Sequence, residues 1–245
     1  MEFQVKVLII TFILTVIMSL IIIPILRKLK VGQQERDDGP KSHLKKQGTP
    51  TMGGIIIILA VIIICAFLYY YYTHKTIEPI VAKNLIPLVL VSVGFGIVGF
   101  VDDFKKLVLK NTKGLSPRAK MIGLLIIAVG YVVYLTKVLN IGTDIYIPFA
   151  KTSLILPIWI YIPFAILVML DTTNAINLTD GIDGLSSSVT TIMLTCLTVI
   201  AIILNIKEIT LFGSCLSGAC LGFLLFNLYP SKVMMGDTGS LCLGG

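Results

Sequence analysis

What the sequence most lacks is charge. Asp, Glu, Lys and Arg make up 13% of its 245 residues, against roughly 25% in a typical soluble domain. So few charges cannot cover a water-facing surface of this size, which excludes an ordinary soluble globule and leaves lipid as the solvent. Histidine is nearly absent: His43 and His74 stand far apart and give no metal signature. The five cysteines, Cys65, Cys196, Cys215, Cys220 and Cys242, lie in or beside apolar runs without metal-type spacing. They read as small buried apolar residues. Acidic residues are outnumbered, and the net charge is +7. A basic balance can signal nucleic acid, but no soluble segment gathers these charges, so no nucleic-acid partner is expected. A cleavage site is also missing. The first apolar run is too long for a signal peptide and is followed by Arg27, Lys28 and Lys30, the flank of a retained helix.

What is present is apolar sequence: 56% of residues are hydrophobic and the mean hydropathy is +0.96. The apolar runs are Val5–Leu26, Ile55–Tyr72, Leu85–Val101, Met121–Leu135, Leu154–Leu170, Val189–Leu204 and Ile209–Leu228. A span needs about 20 residues, so the shorter runs are expected to extend into their flanks. This predicts an all-α integral membrane protein, a polytopic bundle of seven transmembrane helices with an eighth beginning after Asp237. Gly94, Gly96 and Gly99, and the pair Gly218 and Gly222, would permit close helix packing. Residues 1–245 read as one membrane domain.

Lys and Arg concentrate in two connections. The first carries Arg27, Lys28, Lys30, Arg36, Lys41, Lys45 and Lys46; the third carries Lys105, Lys106, Lys110, Lys113, Arg118 and Lys120. The positive-inside rule places both in the cytoplasm. Strict alternation then puts the fifth and seventh connections there too, with the N-terminus outside. Every Gly- and Asp-rich stretch falls on an odd-numbered connection, so all are expected on one face.

Four stretches on that face can carry chemistry. Asp102-Asp103-Phe104-Lys105-Lys106 ends the third run; if the helix continues, Asp102 and Lys106 share a face at i and i+4. Adjacent carboxylates at a membrane border are costly unless paired, hydrated or holding a cation, and taken alone they read equally as an interfacial cluster that ends the helix. Residues 174–185, NAINLTDGIDGL, contain no Lys or Arg and two Asp-Gly pairs, the mark of tight turns with accessible backbone N–H groups. Such turns admit a flat group such as a nucleobase, and a plain reverse turn needs far fewer polar residues. Gly236-Asp237-Thr238-Gly239-Ser240 offers a glycine-flanked aspartate with hydroxyls, suited to phosphate or metal–phosphate contact. Residues 41–54, KSHLKKQGTPTMGG, offer cations, the hydroxyls of Thr49 and Thr51 and a Gly-Gly helix entry. They suit anionic ligand oxygens or, more blandly, lipid headgroups. Together these are the parts of phosphoryl transfer: a metal, positive charge on the leaving group and a positioned nucleophile. Their position implies one water-soluble and one lipid substrate.

At KQGTPTMGG, VDDFKK, NAINLTDGIDGL and MGDTGSLCLGG the chain resembles the polyprenyl-phosphate N-acetylhexosamine-1-phosphate transferase family, in family order from about residue 41 to the end. GTPTMGG favours the muramoyl-pentapeptide branch over the N-acetylglucosamine branch. The resemblance implies an enzyme of the bacterial plasma membrane, working on its cytoplasmic face. It would transfer phospho-MurNAc-pentapeptide from UDP-MurNAc-pentapeptide to undecaprenyl phosphate in peptidoglycan synthesis, giving lipid I and UMP with Mg²⁺. It further implies Asp237 as the metal ligand, and Asp102, Asp103, Asp180 and Lys106 as catalytic. Lys46, Thr51, Asn174, Asn177, Gly181, Ile182, Asp183 and Asn227 would bind substrate. Met234 stands where many relatives have an aromatic residue that stacks on the uracil. The family has about ten spans, a histidine-rich cytoplasmic loop near the C-terminus and a tendency to homodimers, so a chain ending at Gly245 is expected to be incomplete at its C-terminus.

Three other readings compete. A sister enzyme handling UDP-N-acetylglucosamine would use the same parts. An ion-coupled transporter would hold its carboxylates near the midplane on broken helices, whereas these sit at one face. A membrane scaffold would bind nucleotide without turnover.

Overall fold

The structure, a computed structural model, describes residues 2–29, 49–76, 78–107, 114–147 and 149–245. Seven helices are long and apolar enough to cross a membrane: α1 Glu2–Lys28, α2 Gly54–His74, α3 Pro79–Leu107, α4 Pro117–Lys137, α5 Ile158–Thr179, α6 Leu185–Ile203 and α7 Lys207–Asn227. A shorter helix, α8 Gly236–Gly244, follows. The chain is thus a polytopic helical membrane protein, and apolar side chains such as Ile13, Leu90, Ile126 and Ile192 point outward.

Two departures from the sequence reading concern the fifth run. Leu154 belongs to a short antiparallel hairpin, β1 Asp144–Ile147 with β2 Thr152–Ile155, in which Asp144 faces Ile155. The β-branched and aromatic residues Ile145, Tyr146, Ile147, Thr152 and Ile155 suit a ribbon, and Pro157 then starts the helix. At its other end α5 continues to Thr179. Asn174 and Asn177 are therefore helical, and the expected twelve-residue turn region shortens to residues 180–184. Only a backbone that closes its own hydrogen bonds is tolerated while it lies against lipid, which favours continuing the helix.

Polar side chains inside the bundle are mostly satisfied locally. On α1, Thr11, Thr15 and Ser19 are fully buried, and each hydroxyl donates to the carbonyl four residues back at 2.8 Å. This stripe packs on α7, where a side chain at Gly222 would meet Thr15 at 2.8 Å. Phe95, Phe223, Ile56, Ile57, Leu68, Met235 and Leu241 fill the centre.

The two ends differ. At one, Phe3 stacks on Tyr71 with ring centroids 5.3 Å apart, Lys207 pairs with Glu78 and the Asn84 amide donates to Glu208 at 3.0 Å. The N-terminal end of α1 and the described parts of the second and sixth connections meet there. The described parts of the odd connections meet at the other end. Pro50 accepts from the Met234 N–H at 2.8 Å, and the Gly53 and Gly54 N–H groups donate to Met234 and Met235 at 3.0 and 2.9 Å. The TMGG and MGDTG segments are thus laced by backbone bonds.

Nearly all of α8 is buried, against α2, α3 and α5. It is admitted by glycines: a Cβ at Gly99 would run into the Asp237 carbonyl, and one at Gly54 into the Gly239 backbone. Backbone cannot rotate aside as a side chain can. Gly99→Val is therefore expected to cost about 3 kcal/mol through overpacking and to lower the melting temperature in detergent by about 6–12 °C. An unchanged melt would contradict this seating of α8.

Candidate active site

The helix carrying Asp102 does continue, through Leu107. The Lys106 ammonium therefore sits 2.6 Å from Asp102 Oδ2, one turn back. The other oxygen, Oδ1, accepts the Leu115 N–H at 2.6 Å. Gly114 makes that approach possible with φ +61, and a side chain there would strike Asp102 and Lys106. Asp102 is 2% exposed, and both of its oxygens are engaged, by Lys106 and by the Leu115 N–H.

Asp237, on the first turn of α8, is the meeting point. Its Oδ2 accepts from Lys106 and from Lys120, each at 3.0 Å. Its Oδ1 accepts from Asn177 Nδ2 at 2.8 Å. The same amide nitrogen lies 2.8 Å from Ser240 Oγ, and the amide oxygen 3.4 Å from Lys120 Nζ. Asp237 lies outside the seven spans. Burial works to raise its carboxyl pKa. The charges of Lys120 and Lys106 and the Asn177 amide work against burial and prevail, holding it well below the usual carboxylate range. Lys106, Lys120 and Asp237 keep 38, 19 and 18% of their side-chain surface exposed, so the three form the accessible charged floor of the site.

Asp103 and Asp180 face α8 itself. Asp103 accepts from the backbone N–H groups of Asp237 and Thr238 and from the Thr238 hydroxyl. Asp180 accepts the Gly236 N–H. Thr51 joins this group: a Cβ on Gly236 would lie 2.9 Å from its hydroxyl. Gly181 and Ile182 lie on the turn after α5, where Ile182 is 60% exposed and a Cβ at Gly181 would meet nothing within 4 Å. Asp183 accepts the Ser231 N–H at 3.2 Å.

Other expected residues stand apart from the floor. Asn174 lies one turn back along α5, part-buried. Asn227 is 1% exposed; it accepts from Ser187 at 2.6 Å and donates to the Val233 carbonyl at 3.0 Å. It thereby braces the segment that leads to α8. Met234 is buried, its thioether accepting from Ser231, and it presents no face to a base. Lys46 and His43 lie outside the described residues. His74 is at the opposite end, stacked on Tyr70.

Lys120 and Ser240 were missed as site residues. Lys120 read as one of six cations on a loop. The signal that could have singled it out is Ser116-Pro117. Serine accepts the Ala119 N–H as an N-cap and proline opens the helix, which puts Lys120 on the first turn of α4 at the site end.

Among the described residues, no group of three or more His, Cys, Asp or Glu could hold a metal. Mg²⁺ seldom needs such a cage; it is commonly bound by one or two carboxylates together with water and substrate phosphates. Asp237 fits that mode. A carboxylate has about four acceptor positions, and the three donors named above leave capacity at a partly exposed oxygen pair.

Comparison with known proteins gives the family. The family model for glycosyl transferase family 4 matches residues 85–245, and the phospho-N-acetylmuramoyl-pentapeptide-transferase signature 1 matches residues 46–58. A phospho-N-acetylmuramoyl-pentapeptide-transferase of Acetivibrio thermocellus is 44% identical over 244 residues, covering 99% of this chain and 70% of the relative. This chain belongs to the phospho-N-acetylmuramoyl-pentapeptide-transferase family. Relatives of the same name from Halalkalibacterium halodurans and Clostridium botulinum are 43% and 45% identical, covering 97% and 96% of the chain and 71% and 68% of their own lengths. The family is one of phospho-sugar transferases, and the chain is a multi-pass membrane member of it.

Proposed function

We propose that the protein transfers phospho-MurNAc-pentapeptide from UDP-MurNAc-pentapeptide to undecaprenyl phosphate, forming lipid I and releasing UMP. The observation that carries this reading is the pair of lysine ammonium groups on one oxygen of Asp237, at the end of the bundle where the odd connections gather. Those connections hold most of the Lys and Arg, so the positive-inside rule supports a cytoplasmic site in the bacterial plasma membrane, with the N-terminus outside.

In this reading an oxygen of the lipid phosphate bonds to the phosphorus that carries the sugar. The bond from that phosphorus to the bridging oxygen breaks, and the bridging oxygen leaves with its electron pair on UMP. The nucleophile is a phosphate monoester with a second pKa near 6, so it is mostly dianionic at pH 7 and needs no protein base. Asp102, buried and occupied by Lys106 and the Leu115 N–H, serves by orienting Lys106. Lys106 and Lys120 can turn from Asp237 to the phosphate oxygens, fixing the pyrophosphate and offsetting charge that grows on the leaving UMP. Mg²⁺, when bound, supplies further charge neutralisation to those oxygens, with Asp237 as its protein ligand. The turn after α5, beside Asp180, offers the exposed side chain of Ile182 to the uracil.

The test is UMP release by the protein in detergent, with and without undecaprenyl phosphate and Mg²⁺. Release from UDP-MurNAc-pentapeptide should require both and should be unaffected by excess UDP-N-acetylglucosamine. Lipid-dependent release from UDP-N-acetylglucosamine instead would assign the sister reaction, and silence with both sugar nucleotides would reject transfer.

A further inference from the structure

We infer that Asp103 and Asp180 are positioning residues, which cap the first turn of α8 from two other helices and so fix where Asp237 points. A helix leaves its first N–H groups without partners in its own ladder, and a polar side chain just before it normally accepts one of them. α8 has no such local cap: the residue before it is Met235, with helical backbone and no capping bond. Gly236 at φ +75 turns the chain into the helix instead, leaving three successive N–H groups inside the protein.

The partners come from elsewhere in the chain. The Gly236 N–H donates to Asp180 Oδ2 at 2.9 Å, from the end of α5. The Asp237 N–H donates to Asp103 Oδ1 at 3.3 Å and the Thr238 N–H to Asp103 Oδ2 at 2.8 Å, both from α3. The Thr238 hydroxyl adds a fourth bond, to Asp103 Oδ2 at 2.6 Å. Two carboxylates at the positive end of a helix also complement its dipole. Asp103 is 4% exposed and both of its oxygens take donors from α8, so its lone pairs point at α8 and away from the open floor. The residue they bracket is Asp237, whose side chain must face Lys106, Lys120 and Asn177 together. A displacement of about 1 Å at such a group can cost about 100-fold in rate.

The experiment compares Asp103→Asn, Asp180→Asn, Thr238→Val and Thr238→Ser in the full chain in detergent. Its activity arm rests on the proposed transfer; its melting arm needs no turnover, so the two can fail separately. In Asp103→Asn the amide nitrogen must face an N–H donor whichever way it is flipped. A fall in melting temperature of about 5 °C is expected, together with about a 100-fold loss of UMP release. Thr238 is fully buried and cannot touch substrate. Thr238→Val should nevertheless reproduce a smaller loss of both, and Thr238→Ser, which keeps the hydroxyl, should restore both. Asp180→Asn should lower the melt as well. Melting temperatures unchanged in both Asn variants would overturn the inference. So would a silent Thr238→Val beside an inactive Asp103→Asn, because Asp103 would then act on the reaction directly.

Discussion

Asp237→Asn should reduce UMP release by about 1,000-fold or more, equivalent to about 4 kcal/mol of lost transition-state stabilisation. Three donors converge on this carboxylate: Lys106, Lys120 and Asn177. An amide has one acceptor oxygen in place of two. If its oxygen stays with the lysines, its nitrogen faces the Asn177 amide, donor against donor; if it flips, two ammonium groups face an NH₂. Either way the lysines lose their shared counter-charge, and Mg²⁺ would lose its anionic ligand. The backbone of α8 should stay seated, because its N–H groups bond to Asp103 and Asp180, not to the Asp237 side chain. The melting temperature should therefore change much less than the rate. The checks are UMP release across a Mg²⁺ titration and a melt of the same preparation. Turnover near the parent level would remove Asp237 from the reaction, and a collapsed melt would make its role structural.

Lys120→Met should lower turnover by about 100- to 1,000-fold, the usual effect of deleting one donor aimed at transition-state charge. Methionine keeps an apolar stem but no ammonium. Lys106 alone would remain on Asp237 Oδ2, and Asn177 would lose a partner at 3.4 Å. Lys120→Arg should recover part of the rate, since it restores the charge with a different geometry. The effect should fall mainly on kcat, because the leaving UMP gains charge only as the bond breaks. Activity within about threefold of the parent, a difference below 1 kcal/mol, would show that Lys106 suffices and that Lys120 serves only to neutralise Asp237.

Much of this molecule can be read in one dimension. Each apolar run must cross or lie within lipid, each connection must reverse direction, and alternation then assigns every motif to an end. That reasoning assigns Asp102, Asn177, Asp180 and Asp237 to one end of the bundle, and the pairing of Asp102 with Lys106 follows from helical spacing alone. Hydropathy could not show the hairpin at 144–155, because four-residue strands leave too weak a pattern. Nor could it show that α5 carries Asn177 on its last turns, because polar residues at a membrane border are compatible with helix or loop.

What hydropathy and spacing left open is which polar atoms meet within the shared end. That depends on the rotation and depth of each helix, set by contacts such as Gly99 against the Asp237 backbone and Gly54 against Gly239. Lys120 and Asp237 are 117 residues apart in the chain, and nothing local distinguishes Lys120 from its neighbouring cations except the helix start at Ser116. Asp102 and Asp103 are adjacent in sequence, yet about 100° of helical rotation separates them. One therefore holds Lys106 and the Leu115 N–H while the other caps α8. The sequence by itself determined the membrane class, the order of the spans and the end at which the chemistry sits, because these follow from the free energy of placing each segment in lipid or water. Only the tertiary structure decided that α8 enters the centre of the bundle and that its first turn is held by Asp103 and Asp180, because a hydrogen bond requires partners within about 3 Å, a condition that helix packing sets and composition does not.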